Sequence, residues 1–147
     1  MLPWSTGGAY LYPLHQFGSY RLVLGVECEF STIETKQIAL LDTAAELSVA
    51  GIQVYQRFLE ENASLGLPVG TTTINTRLGN FTGELYRVEV QLTAAWGEPL
   101  MVDGTFLFCE EWNGPTVLGF YGCLERLRLA IDPDYEKVGC IYFASTG

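Results

Sequence analysis

The chain is short of the groups that most enzymes use for nucleophilic, metal or phosphate chemistry. Its one histidine, His15, lies in the proline-broken stretch "LYPLHQF" with no nucleophile motif nearby, which argues against a Ser-His or Cys-His relay. The four cysteines, Cys28, Cys109, Cys123 and Cys140, form no C-x-x-C pair. A zinc site would have to be assembled from widely scattered ligands; the simpler reading is small apolar side chains in a reducing compartment. Neither a metal nor a cofactor is expected. "GTTTINTRLG" has no lysine and opens no helix, so it is not a phosphate loop. Asn62 in "NAS" and Asn80 in "NFT" match the glycosylation pattern, but without a secretory signal they read as chance matches.

Positive charge is scarce as well. Eight basic residues face seventeen acidic ones, a formal net charge of -9, which disfavours nucleic acid or an anionic membrane as partner. No apolar run reaches the ~18 residues that would span a bilayer. The opening "MLPWSTGGAYLYPLHQFGSY" lacks a basic start and is broken by Pro, Gly and Ser, so it does not read as a signal peptide, and the expected compartment is cytoplasmic.

What is present fits one domain with a substantial core: 147 residues, 48% hydrophobic and only 17% charged. Strand patterns dominate. "YRLVLGVECEF" (Tyr20 to Phe30), the polar connection "STIETKQ" and "IALLDT" read as a hairpin whose second strand runs into Asp42. An ionised carboxylate is costly to bury alone, so an aspartate directly behind Ile38-Ala39-Leu40-Leu41 needs a reason. "GIQVYQRFLEENASLG" predicts a helix with Ile52, Tyr55, Phe58, Leu59 and Leu65 on one side, stopped by Gly66 and Pro68. Then the period changes to two: in "ELYRVEVQLT", Tyr86, Val88, Val90 and Leu92 alternate with Arg87, Glu89, Gln91 and Thr93. With "TTTINTRL" this forms a long hairpin, its tip expected between Gly79 and Gly83. "PLMVDGTFLF" predicts strand around an Asp103-Gly104 turn. "YGCLE" reads as a short helix near Gly122 to Arg126, and "RLRLAID" and "KVGCIYFA" read as strands. Trp96 and Trp112 read as surface packing.

Two motifs taken together resemble the retropepsin group of aspartic peptidases, in particular its bacterial single-domain members. "ALLDTAAELSV" is similar to the family's apolar-apolar-Asp-Thr-Gly-Ala element, and "TVLGFYGCLERLRLAI" to its later apolar-apolar-Gly element, short helix and strand. The hairpin falls between them in the family's order, and the likeness covers roughly Tyr20 to Ile131. The resemblance implies an all-β, mainly antiparallel, closed or barrel-like acid-protease fold with one moderate and one short helix. It places an N-terminal extension at 1–19 and the peptidase domain at 20–147.

Peptide hydrolysis by this route needs two carboxylates about a hydrogen bond apart that share one proton. The chain offers one such aspartate. Asp103 sits in a turn sequence, and Asp132 and Asp134 flank Pro133. The resemblance therefore implies a C2 homodimer in which each copy supplies one Asp42, with the terminal strands "YRLVLGV" and "KVGCIYFA" at the interface. By the same resemblance Asp42 activates water and Thr43 braces the dyad through its hydroxyl. Ala44 stands where the family has glycine, and Ala45 matches its small residue. Glu46 would contact the backbone of a polypeptide substrate. Its usual arginine partner is replaced by Phe120, leaving Arg87, Arg126 or Arg128 as substitutes. Gly79, Asn80, Phe81, Thr82 and Gly83 would form a substrate-covering flap, and Ile74, Leu85 and Val117 pocket walls. The expected activity is an aspartic endopeptidase cutting extended apolar segments. The alternatives are an inactive peptide-binding or assembly module of the same fold and a structural β domain without a ligand.

Overall fold

Strand succeeds strand along the computed structural model of the protein, which describes residues 7–10, 12–15, 22–61, 65–76, 79–132 and 140–145. In chain order they are β1 (Gly7–Tyr10), β2 (Tyr12–His15), β3 (Leu22–Phe30), β4 (Thr35–Leu41) and β5 (Ser48–Val49), then helix α1 (Ile52–Glu60). After the helix come β6 (Gly70–Thr76), β7 (Gly79–Leu92), β8 (Trp96–Gly97), β9 (Leu100–Phe108), β10 (Val117–Leu118), β11 (Leu127–Asp132) and β12 (Cys140–Ser145). Short 3-10 turns lie at Ser31–Ile33 and Leu124–Arg126. The fold is all-β, as expected, with one helix of moderate length and a short turn where "YGCLE" leads into β11.

Six of these strands close on themselves. Neighbours run β3-β4-β10-β5-β9-β7, and β7 returns to β3 through Cys28↔Leu92, Glu29↔Gln91 and Phe30↔Val90. Closure removes the open edges that a six-stranded sheet would otherwise carry. The alternation read in β7 points Tyr86, Val88, Val90 and Leu92 into the barrel and leaves Arg87 and Glu89 outside. Facing them are Val26, Cys28, Phe30, Val102 and Phe106, with the Phe30 and Phe106 rings edge-to-face at 4.9 Å. Each such side chain contributes about 1.5–3 kcal/mol by leaving water.

A second sheet, in the order β11-β12-β1-β8, packs Ile141 and Phe143 into the same core. The stretch ahead of Tyr20 thus supplies strands to both sheets: β1 pairs with β12 and β8, and β2 pairs with β3. Of the strands expected at a dimer interface, β12 lies between β11 and β1, and β3 pairs with β2 over Leu22 to Gly25, with β4 over Gly25 to Phe30 and with β7 over Cys28 to Phe30; Tyr20, Arg21 and residues 137–139 of those stretches lie outside the described residues.

Three local expectations need correction. The two arms of the hairpin pair as far as Thr76↔Gly79, where the Thr76 hydroxyl donates to the Gly79 carbonyl at 2.9 Å. Gly79 to Gly83 belong to the second arm, paired with Thr76 to Thr72. Gly83 is glycine for a packing reason: a Cβ there would stand 2.2 Å from the Phe108 carbonyl oxygen. Asp103-Gly104 makes no turn, because β9 runs straight through it, and the missing Cβ of Gly104 leaves room for the Phe106 ring, which a Cβ would meet at 2.8 Å. In α1 the buried residue is Val54, whereas Leu59 is 59% exposed. The helix docks instead through Phe58, whose ring lies 5.0 Å from Tyr86 and 4.9 Å from Phe108. It ends at Glu60, and Leu65 reaches the core from beyond it.

Candidate active site

Strand β4 delivers Asp42 to one end of the barrel. Its last residues pair in parallel with β10, Leu40 with Val117 and Leu41 with Leu118. The Leu40 N–H donates to the Thr116 carbonyl at 2.9 Å and the Asp42 N–H to the Leu118 carbonyl at 3.1 Å. Past this point the chain turns on the aspartate itself. The Ala44 N–H donates to Asp42 Oδ1 at 3.0 Å and the Ala45 N–H to the Asp42 carbonyl at 3.1 Å. This is an Asx-type turn, in which a short acidic side chain stands in for backbone.

Asp42, Thr43 and Ala44 are all exposed within the chain. The apolar run ahead of Asp42 therefore does not bury it: Leu40 is buried, Leu41 is half-buried, and the carboxylate emerges at the rim. Burial costs this carboxylate nothing in the single chain. Ala44 has a negative φ, since Glu34 is the sole non-glycine residue at positive φ among the described residues. An alanine is unstrained there, and its N–H makes the bond that the turn needs.

A second loop braces the first. After β10, Gly119 comes so close to the Asp42 loop that a Cβ on it would lie 2.3 Å from the Leu47 carbonyl oxygen and 3.0 Å from that of Ala45. The Gly119 N–H donates to Ser48 Oγ at 2.9 Å, the Phe120 N–H to the Ala45 carbonyl at 2.8 Å, and the Tyr121 N–H to the Glu46 carbonyl at 2.8 Å. Ser48 is fully buried. Burial pushes the Cys123 thiol up to about 11, against a smaller lowering by the Ser48 hydroxyl, and pushes the Cys28 thiol up to about 12. Both are protonated at neutral pH, which removes them as nucleophiles. Thr116, the other fully buried polar residue among those described, accepts the Gly51 N–H at 2.9 Å and ties the start of α1 to β10.

The long hairpin meets this region through a small apolar cluster. Ile74, Phe81, Leu85 and Trp112 pack on Val49, Leu107 and Cys109, with the Phe81 and Trp112 rings edge-to-face at 5.3 Å. Val49 pairs with Val117 and lies one residue beyond Ser48. Two expected pocket walls, Ile74 and Leu85, therefore meet in one patch, and Val117 borders it through β5. Trp112 is part of this patch rather than loose surface, held by its indole N–H donating to the Pro115 carbonyl at 2.9 Å. Gly79, Asn80 and Thr82 are exposed beyond it.

Glu46 is exposed and makes no ion pair among the described residues. Of the basic residues considered for it, Arg87 pairs with the Asp103 carboxylate, and Arg126 donates to the Asp103 carbonyl at 2.6 Å. Arg128 is exposed on β11. Phe120, 43% exposed, instead lies edge-to-face with Tyr121 at 5.2 Å, so the rim beside Asp42 is aromatic rather than cationic. Gly119 is the glycine of the second motif, whereas Ser48, Thr116 and Tyr121 were given no role in the sequence reading. A serine within "LSVAG" was the one visible hint, since a polar residue between buried apolar ones needs a hydrogen-bond partner.

Three of the cysteines are buried, Cys140 is half-buried, and all four are free. Among the described residues no helix is long and apolar enough to cross a membrane. No protein-family model matches the chain, and no curated protein matches it significantly.

Proposed function

We propose that the chain is one half of a homodimeric aspartic endopeptidase of the retropepsin type. The observation that carries this reading is the Asp42 loop: an exposed carboxylate at the end of an apolar strand, fixed by the Ala44 N–H and interlocked with the Gly119 loop through backbone hydrogen bonds. Such a group is oriented and reachable, but a single carboxylate cannot act as base and acid in one step. A two-fold copy supplies the second. One Asp42 takes a proton from water as the oxygen attacks the peptide carbonyl carbon, while the other, protonated, donates to the carbonyl oxygen. Collapse of the tetrahedral intermediate breaks the C–N bond, and a proton passes to the leaving amine.

The hairpin supports the same reading. Its exposed end (Gly79, Asn80, Thr82) would cover an extended polypeptide, with the patch of Ile74, Phe81 and Leu85 favouring apolar side chains. Thr43, exposed in the single chain, would brace the opposite loop. A cytoplasmic setting belongs to this reading and is supported by four free cysteines. The inactive assembly module has one observation in its favour: Glu46 has no ion pair among the described residues, and the adjoining loop offers Phe120 in place of an arginine.

The test is cleavage of denatured protein across about pH 3 to 7, the span in which such a pair exchanges its shared proton. Asp42→Asn alters both halves at once. Cleavage should fall to background while the oligomeric state and thermal unfolding stay as in the wild type. A wild-type protein that cuts nothing over this range, yet is dimeric, would leave the assembly module as the better reading.

A further inference from the structure

The rim beside Asp42 sets exposed aromatic rings next to an exposed carboxylate. Backbone bonds fix the arrangement. The Phe120 N–H donates to the Ala45 carbonyl and the Tyr121 N–H to the Glu46 carbonyl, each at 2.8 Å, and Leu47 bridges in parallel to Tyr121. Glu46 therefore runs alongside Phe120 and Tyr121. All three residues are exposed, Phe120 by 43% and Tyr121 by 56%. The rings meet edge-to-face at 5.2 Å, so neither is stacked flat on the other. Glu125 adds a second carboxylate to the same loop: its side chain accepts the Gly122 N–H at 3.0 Å, and its own N–H donates to the Phe120 carbonyl at 3.0 Å. Neither Glu46 nor Glu125 is in an ion pair among the described residues.

Rings left in water forgo the gain of burial. Beside a carboxylate they match one chemical group, a guanidinium or ammonium on an aliphatic stem. The carboxylate takes the charge, a ring face attracts it, and the rings cover the stem. We propose that Glu46, Phe120 and Tyr121 form a subsite for a lysine or arginine side chain of the polypeptide substrate. Asp42 and Glu46 are four residues apart, which bounds their Cα separation at ~14 Å, and an extended substrate advances ~3.3 Å per residue. The basic residue thus lies within about four positions of the bond that is cut.

Phe120 keeps the subsite open, because an arginine there would occupy Glu46 and repel a basic side chain. Lys36 pairs with Glu27, Arg57 with Glu60 and Glu61, and Arg87 with Asp103, so these cations are engaged elsewhere. A net charge of -9 draws the same class of substrate from a distance. The inference rests on the peptidase reading for its substrate and narrows it to an apolar segment flanked by a basic residue.

Charge selectivity tests the subsite. Fluorescein-labelled apolar peptides carrying Lys, Gln or Glu at one position at a time are bound to Asp42→Asn, which leaves them intact, and offered to the wild type for cleavage. The pH is held where carboxylates are ionised. At one position the Lys peptide should be favoured over the Gln peptide about tenfold, in Kd and in kcat/KM alike. Peptides are compared within each protein, so a general effect of a substitution cancels in the ratio. On both backgrounds Glu46→Gln should bring the Lys-to-Gln ratio to within about threefold of unity, the part left to the rings. Glu46→Lys should invert the selectivity in favour of the Glu peptide, and Phe120→Arg should abolish it by pairing Glu46 within the chain. Circular dichroism should match across the variants, since both positions are exposed. A ratio near unity at every position, or one that Glu46→Gln leaves unchanged, would overturn the subsite, while cleavage by the wild type would keep the peptidase reading. Charge-selective binding that Glu46→Lys inverts, with no cleavage by the wild type, would sink the peptidase and leave the subsite to a peptide-binding module. Binding of none of the peptides at roughly 1 mM protein would overturn the subsite outright.

Discussion

Gly119→Ala probes the brace between the Asp42 loop and its neighbour. The new Cβ would stand 2.3 Å from the Leu47 carbonyl oxygen, 2.5 Å from its carbonyl carbon and 3.0 Å from the Ala45 oxygen. All three obstacles are backbone, so no side chain can rotate away. Carbon–oxygen contacts settle at ~3.3 Å or more, so the loops must part by about 1 Å. Three hydrogen bonds cross that gap, from Gly119 to Ser48 at 2.9 Å and from Phe120 and Tyr121 to the Ala45 and Glu46 carbonyls at 2.8 Å each. Stretched by that amount, each lies outside hydrogen-bonding range. At about 1 kcal/mol for each of the bonds lost by Phe120 and Tyr121, and 1–3 kcal/mol for the Gly119 N–H left buried, the cost is roughly 3–5 kcal/mol. For a domain of this size that lowers Tm by roughly 10 °C. Urea unfolding followed by tryptophan fluorescence gives the free energy, and hydrogen exchange at the Phe120 and Tyr121 amides locates it. A Tm within about 2 °C of the wild type, with those amides still protected, would refute the brace. Ser48→Ala should cost about 1–3 kcal/mol by the same mechanism, and less than that on the Gly119→Ala background, where the bond is already broken.

Two further outcomes follow from the same geometry. Burial raises the folded-state Cys28 and Cys123 thiols to about 12 and about 11. Below about pH 8.5 both states hold these protons; above it the unfolded chain ionises first, and stability should fall by about 1.4 kcal/mol per pH unit for each thiol until the folded values are reached. Comparing urea midpoints at pH 8 and about pH 10.5 should show this loss, reduced in Cys28→Ala by one thiol's share. Ala44→Gly should lower stability by about 0.5–1 kcal/mol and leave peptide cleavage within about twofold, because Ala44 already has a permitted backbone and its N–H serves the turn. A large gain in cleavage would mean that the Ala44 methyl obstructs the site.

Much of the fold was legible because burial imposed period-two patterns, most clearly in Tyr86, Val88, Val90 and Leu92. The misreadings have a common cause: a residue chosen for a distant contact resembles one chosen for local conformation. Gly104 beside Asp103 has the appearance of a turn, yet its missing Cβ serves the Phe106 ring. Gly83 resembles the end of a loop, but it lets β7 pass the Phe108 carbonyl. Helical periodicity ranked Leu59 with Phe58, whereas Leu59 is left 59% exposed and Val54 is buried. At the candidate site Asp42 could be found from the apolar run ahead of it. Ser48, Thr116 and the convergence of Arg87 and Arg126 on Asp103 could not, because each depends on partners 16 to 71 residues away.

The ordering of the Asp42 loop lies wholly inside one chain. Its Asx turn, its tie to the Leu118 carbonyl and its brace against Gly119 need no second copy. On the proposed reading, then, dissociation removes the chemistry without unfolding the loop that carries it. Folding and activity should separate on dilution: circular dichroism stays constant while cleavage per mole of chain falls once the concentration drops below Kd, because only the dimer holds two carboxylates.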